Sequence, residues 1–344
     1  MNKDAMLDKV YGCLASFAVA DALGFPAHDL TQAQIVEKFG GRLDTLRSPY
    51  AGNISHVQVE KGRITDDTMM TVMVARALID PEEPKDVDFF GRKFAEWAKA
   101  NRLWETNPMF GPTTRGAFAQ LINGVDPIVA GTTGIKLQGT SNGSAMRIAP
   151  AGLVNPSNIE AAVDLAVAVS LPTHGTQVAI AGAASIAAGV AEALSEDADV
   201  FSIASACLRG ARLGEEAAQS VARIVPTPNI AARIEIAVMA AIKADDIFEA
   251  GQLISDTVGN GLAIYEAVPA AVGLFVAAGG DPWKTMLAGA NLGGDTDTIA
   301  AIASSLSGAL KGFKSVPKDL YEQVESINTL NLAELAGQLV ECQK

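Results

Sequence analysis

Apolar residues recur at three- and four-residue spacing along most of the chain. The pattern predicts helices over 6–23, 68–78, 89–101, 114–122, 159–169, 177–194, 201–213, 230–244, 247–257, 267–278 and 299–310. These runs are rich in Ala and Leu, which lose little side-chain freedom on entering a helix. Turn formers such as Asp80-Pro81, Gly111-Pro112, Pro226-Thr227-Pro228 and Gly279-Gly280-Asp281-Pro282 separate them. Alternation of period two is scarce, and only 53–64 and 131–138 read as extended or irregular. The tail beyond Val316 is expected to add one or two surface helices. No repeat or low-complexity linker interrupts the pattern, so the expectation is an all-α fold, one compact multi-helix domain over residues 1–344.

Where the helices begin is more informative than the helices themselves. Gly62-Arg63-Ile64-Thr65-Asp66-Asp67-Thr68 runs straight into one apolar segment, and Gly293-Gly294-Asp295-Thr296-Asp297-Thr298 into another. Capping explains part of this, because Asp and Thr accept hydrogen bonds from the free N–H groups of a first turn and complement the helix dipole. One cap needs one acceptor, however, and each segment carries two carboxylates. If the two helix starts meet, four carboxylates about 5–6 Å apart repel by about 3 kcal/mol per pair at an effective dielectric near 20. The six pairs then sum to roughly 15–20 kcal/mol, more than a typical domain's stability. Protonation relieves this, and two divalent cations relieve it better. Asp carboxylates and Thr hydroxyls suit Mg²⁺ or Mn²⁺, and no His or Cys beside either segment points to zinc or copper.

A second candidate is Gly139-Thr140-Ser141-Asn142-Gly143-Ser144-Ala145-Met146-Arg147, a glycine- and hydroxyl-rich turn whose backbone N–H groups suit a phosphate. It also reads as an ordinary loop, and it matches neither a P-loop nor a dinucleotide-binding turn. His174, in Thr173-His174-Gly175, either lines a pocket or is a satisfied structural histidine. Trp97 and Trp104 read as packing residues, and Asn107 and Arg115 flank a Pro-rich turn within reach of a ligand. No G-x-S-x-G elbow supports a Ser-His-Asp triad.

Composition narrows the partners. Among 344 residues, 26 basic and 39 acidic side chains leave a formal net charge of −13, which disfavours nucleic acid and anionic membrane surfaces as partners. The three cysteines are far apart in sequence and form no C-x-x-C pair, which fits a reducing, cytoplasmic setting. The N-terminus lacks the layout of a signal peptide. The apolar run 178–194, mostly Ala and Gly, reads as a buried helix and not a membrane span.

Taken in order, Asp21-Ala22-Leu23-Gly24, Thr65-Asp66-Asp67-Thr68, Asn142-Gly143-Ser144-Ala145-Met146-Arg147, Thr173-His174 and Gly293-Gly294-Asp295-Thr296-Asp297-Thr298 resemble the ADP-ribosylglycohydrolase family across nearly the whole chain. The resemblance implies an all-α fold around a dinuclear Mg²⁺ or Mn²⁺ centre. It implies Thr65, Asp66, Asp67, Asp295, Asp297 and Thr298 as metal ligands, and Asp66, Asp67 or Asp295 as the catalytic carboxylates. Ser141, Asn142, Gly143, Ser144, Met146 and His174 fall at substrate-binding positions. Asp21 orients a ligand or caps its own helix end, with the structural role ranked first. The implied reaction is hydrolysis at the anomeric carbon of a ribose, on an ADP-ribosyl-linked or other small-molecule substrate. Many relatives carry Glu where this chain has His28, so a nucleoside substrate stays open, as do a binding-only protein and a phosphohydrolase.

Overall fold

The computed structural model describes residues 1–50 and 59–343. The expected irregular stretch 53–64 therefore lies partly outside the described residues, as does His56. Among the described residues eighteen α-helices follow one another: α1 Lys3–Gly24, α2 Gln32–Phe39, α3 Asp66–Ile79, α4 Val87–Ala100, α5 Leu103–Thr106, α6 Pro112–Ile122, α7 Pro127–Thr132, α8 Ala149–Leu153, α9 Ile159–Ser170, α10 Gln177–Ala193, α11 Val200–Ala218, α12 Ile230–Lys243, α13 Ile247–Val258, α14 Ile264–Ala277, α15 Pro282–Ala290, α16 Thr296–Lys311, α17 Lys318–Asn328 and α18 Leu332–Glu341. Short 3₁₀ turns cover Phe25–Ala27, Asn142–Ser144 and Phe313–Ser315. Among the described residues there is no β-strand; Ser141 and Ala263 share an isolated antiparallel bridge.

Five helices go beyond the sequence pattern: α2, α5, α7, α8 and α15. Most span too few turns to show a period of 3.6. In α15 the cause is different, because Asp281-Pro282 reads as a break but starts a helix. Proline at the first helical position lacks only an N–H that would be unbonded there anyway. The Asp281 carboxylate then accepts from Lys284 N at 2.8 Å. Asp126-Pro127 opens α7 in the same way, shortening the irregular stretch expected at 131–138.

One continuous apolar core draws on helices from α1 to α18. Small residues let its central helices approach closely: a Cβ on Gly308 of α16 would lie 2.2 Å from Gly12 O of α1. At the other end of the pair a Cβ on Gly24 would lie 2.5 Å from Thr296 O, and Thr296 Oγ1 donates to Gly24 O at 2.8 Å, so the C-terminal end of α1 meets the N-terminal end of α16. Among the described residues the stretch long and apolar enough to cross a membrane is Lys3–Ala27, and 94% of its apolar window is buried inside the protein. A helix apolar on all sides belongs at the centre of a core, and α10 also lies there, with all but one of its residues buried.

Candidate active site

The first aspartate pair is set by a helix cap built from two elements. Thr65 precedes α3 in extended conformation, and its hydroxyl accepts from Asp67 N at 3.2 Å. Asp21, fully buried near the end of α1, reaches across to the same turn. Its carboxylate accepts from Thr65 N at 3.1 and 3.2 Å, from Thr68 N at 3.2 Å and from Thr68 Oγ1 at 2.5 Å. Asp21 thus caps α3 and not its own helix, contrary to the reading from sequence. With the free N–H groups served, the carboxylates of Asp66 and Asp67 face the cleft.

The second pair depends on a glycine turn. Gly293 and Gly294 have φ of 81° and 69°, and a Cβ on Gly294 would lie 2.3 Å from Asn260 O. That oxygen accepts from Asp295 N at 2.8 Å, and Asn260 Nδ2 donates to Gly293 O at 3.0 Å. Asp29 N donates to Gly294 O and Gly294 N to Leu30 O, so the chain after α1 is tied to the turn before α16. Asp295 makes no side-chain cap bond. Its Oδ2 instead accepts from Asn142 Nδ2 at 2.5 Å. His28 Nδ1 stands 2.7 Å from Asp297 Oδ1 and 3.3 Å from Asp295 Oδ1.

The two helix starts meet in one cleft of about 560 Å³. Thr65, Asp66, Asp67, Asp295, Asp297 and Thr298 all line it, together with His28 and Asp29. A larger groove of about 870 Å³ lies between α3, α9 and α11, but its acidic residues, Asp80, Glu83, Asp86 and Asp164, are exposed or half-buried, so buried carboxylates and not size mark the site. Burial raises the pKa of Asp66 and Asp67 well above the usual carboxylate range, and the neighbouring aspartates raise it further. Burial likewise pushes Asp21 up to about 7, against its hydrogen bonds from Thr68 and Thr65. The second pair differs because it has a cation. Burial disfavours a charged His28, but Asp297 and Asp295 outweigh that and raise its pKa well above the ordinary value. Burial opposes ionisation of Asp297 too, yet the adjoining His28 charge holds it below the usual range. Buried Asp67 Oδ2 and Asp295 Oδ1 accept no hydrogen bond. Carboxylate oxygens without hydrogen bonds, beside Thr65 and Thr298, form the hard-oxygen donor set that suits a divalent cation, and His28, Asp295 and Asp297 can present donor atoms within 4.8 Å of one another.

A family model for ADP-ribosylglycohydrolase matches residues 2–344. The chain belongs to the ADP-ribosylglycohydrolase family. It is therefore a hydrolase of the class acting on ADP-ribose glycosidic linkages. It is 31% identical to YegU of Escherichia coli (strain K12), covering 97% of both chains. It is 26% identical to ADP-ribosylhydrolase ARH3 of Mus musculus, covering 93% of this chain and 88% of the other. A solved structure titled "ADP-ribosylglycohydrolase-related protein complex" shares the fold, with a TM-score of 0.68 at 20% identity over 99% of this chain and all of the other.

In this ADP-ribosylglycohydrolase the hydroxyl-rich turn also borders the cleft, through Ser141, Asn142, Gly143 and Met146. Ser144 does not line it. Its hydroxyl is fully buried and donates to Ala179 O of α10 at 3.2 Å. His174 does not line it either: the ring is buried behind Gly143, where a Cβ would lie 2.7 Å from Nε2. Two of the expected substrate contacts are thus placed behind the wall and not on it. Asn107 and Arg115 hold each other instead of facing the cleft, and Met109 and Thr113 of the same turn line it in their place. Asn260 carries no sequence signal beyond its turn, whereas Asn142, expected at a substrate-binding position, lines the cleft and also holds Asp295. The Gly111-Pro112 helix start could have pointed to Thr113 and Thr114.

Proposed function

We propose that the protein is a Mg²⁺- or Mn²⁺-dependent hydrolase that cleaves the glycosidic bond at the anomeric carbon of the ribose in an ADP-ribosyl-linked substrate. The observation that carries this reading is the meeting of four buried carboxylates in one cleft beside a hydroxyl-rich turn, with Asp67 Oδ2 lacking a hydrogen bond and Asp295 Oδ1 facing only His28. Thr65, Asp66, Asp67, Asp295, Asp297 and Thr298 would hold two cations, and His28 competes for the same Asp295 and Asp297 oxygens. Bound cations would supply charge neutralisation for the carboxylates and Lewis acidity toward ribose hydroxyls and water.

The chain's own groups do the rest. Asp66, Asp67 or Asp295 takes the proton of the attacking water. Asn142 holds Asp295 in place from the turn. The amide of Asn142 is committed to Leu262 O, so the ligand's phosphates are offered the Ser141 hydroxyl and the first-turn amide of Gly143. Met109, Thr113 and Leu262 wall the opening and limit water at the reacting carbon.

The test is to incubate the protein and Mn²⁺ with ADP-ribosylated peptides and, separately, with a panel of nucleosides. Release of ADP-ribose from the peptides is the expected result. Release of free base from nucleosides alone would transfer the proposal to a nucleoside substrate, and no turnover of either class would overturn it.

A further inference from the structure

Arg147 is fully buried, and no carboxylate pairs with its guanidinium. A buried, uncompensated cation is costly, and burial pulls its pKa down to about 9. Its Nη2 donates to Val169 O at 3.2 Å and to Thr173 Oγ1 at 2.5 Å, and the group lies 4.7 Å from the centre of the Phe94 ring. Helix packing alone gives no reason for this residue, because an apolar side chain would fill the space without the charge.

The hydrogen bonds leading away from it have a direction. An arginine can only donate, so Thr173 Oγ1 must accept from Arg147. The other partner of that hydroxyl is His174 Nδ1, 2.8 Å away. Thr173 is buried, and among the described residues no other acceptor reaches its single hydrogen, so that proton goes to Nδ1, which leaves Nδ1 without a hydrogen of its own. Burial and the Arg147 charge both disfavour a charged imidazole, so the ring is neutral and carries its hydrogen on Nε2. Nε2 lies 3.0 Å from Ser141 Oγ, which must then accept. The Ser141 hydrogen is left free, and Ser141 lines the cleft. Gly143 leaves the room that the imidazole occupies behind the turn.

We propose that Arg147 and Thr173 are positioning residues which, through His174, fix the Ser141 hydroxyl as a hydrogen-bond donor into the cleft, so that an anionic acceptor such as a phosphate oxygen is favoured there. Reversing any link would let Ser141 donate to His174 and turn its lone pairs toward the ligand. The relay stands on the hydrogen bonds alone; only the identity of the acceptor rests on the ADP-ribosyl reading above.

Imidazole ¹⁵N spectroscopy tests the relay directly, and His174 is one of only three histidines to assign. The expected spectrum at neutral pH shows His174 neutral, with the hydrogen on Nε2, and shows this preference lost in Thr173→Val and retained in Thr173→Ser. A hydrogen on Nδ1, an imidazolium, or an unchanged tautomer in Thr173→Val overturns the proposal; a residue with a purely structural role would not move this signal. Calorimetry with ADP-ribose tests the consequence. Thr173→Val should weaken binding about tenfold, roughly the worth of one hydrogen bond to a charged group, and Thr173→Ser should restore it. Equal affinity in Thr173→Val and wild type would overturn the link to the ligand. If the wild type itself ignores ADP-ribose, the proposed substrate fails while the tautomer measurement still decides the relay.

Discussion

At the start of α3, the helix N–H groups are served by Thr65 and by Asp21 from α1, and the carboxylates of Asp66 and Asp67 are left without a cationic partner. At the start of α16, no side chain caps the helix, and the carboxylates of Asp295 and Asp297 are engaged by Asn142 and His28. The two segments have nearly the same residues and different electrostatics. Burial makes Asp66, Asp67 and Asp295 hold protons more tightly than free aspartate, while Asp297, beside His28, holds its proton less tightly. Similar residue patterns do not dictate similar charge states. What decides is which neighbouring element supplies donors, and whether those donors carry charge.

The largest expected effect comes from removing one carboxylate of either pair. Asp67→Ala and Asp295→Ala should each lower the rate of ADP-ribose release by on the order of 10³-fold, the scale for deleting a main electrostatic group at a reacting centre. If one pair proves dispensable in that assay, the two helix starts are not partners in one site. Next comes Asp21, whose loss touches only the α3 side. Asp21→Ala strands the buried N–H groups of Thr65 and Thr68, at a cost of about 3 kcal/mol in urea unfolding. A change below about 0.5 kcal/mol would show that Asp21 does not support the cap.

The pH dependence without added cations sharpens the contrast. Asp21, Asp66 and Asp67 have raised pKa values, so the folded chain binds more protons than the unfolded one above about pH 4. Their contribution to stability therefore falls as pH rises through that window, which for Asp21 extends to about 7. His28 acts in the same direction: its contribution is complete below about 6.5 and is lost as pH rises through its higher folded value. The depressed pKa of Asp297 works the other way, but its contribution is lost only on acidification through the carboxylate range. His174 also works the other way, since burial lowers its pKa and its contribution is lost as pH falls below about 6.5. Urea unfolding in EDTA should accordingly give higher stability at pH 6.5 than at pH 8, and Mn²⁺ should raise the melting temperature more at pH 8. Equal stability at the two pH values would contradict the shifts. The smallest effect concerns capping alone. Thr65→Ala should cost about 1 kcal/mol. Asp295→Asn should cost none of that cap energy, because its side chain makes no cap bond.

Much of the helical frame is legible in the sequence because long Ala- and Leu-rich runs repeat with the helical period. Helices of one or two turns leave no such trace, and Asp281-Pro282 shows how a helix start can look like a break. Each aspartate pair is visible locally as a helix N-terminus with one carboxylate too many. Their meeting is not, since it depends on Gly12 and Gly308 setting the approach of α1 and α16 and on Asp21 bridging to α3. His28 stands out in sequence as a departure from a family pattern. Its contact with Asp297, 269 positions away, comes from the 3₁₀ turn Phe25–Ala27 and the backbone bonds linking Asp29 and Leu30 to Gly294. His174 was placed near the ligand by resemblance, and the structure moves it one layer back because Gly143 leaves space for the ring there.

Calorimetric titration with Mn²⁺ puts the joint site to its most direct trial, using wild type, Asp67→Asn and Asp295→Asn. Binding by the wild type, weakened about tenfold or more by either substitution alone, is the expected result. Unchanged affinity in both variants would mean that the two helix starts do not share a cation, and the account of the site would fail.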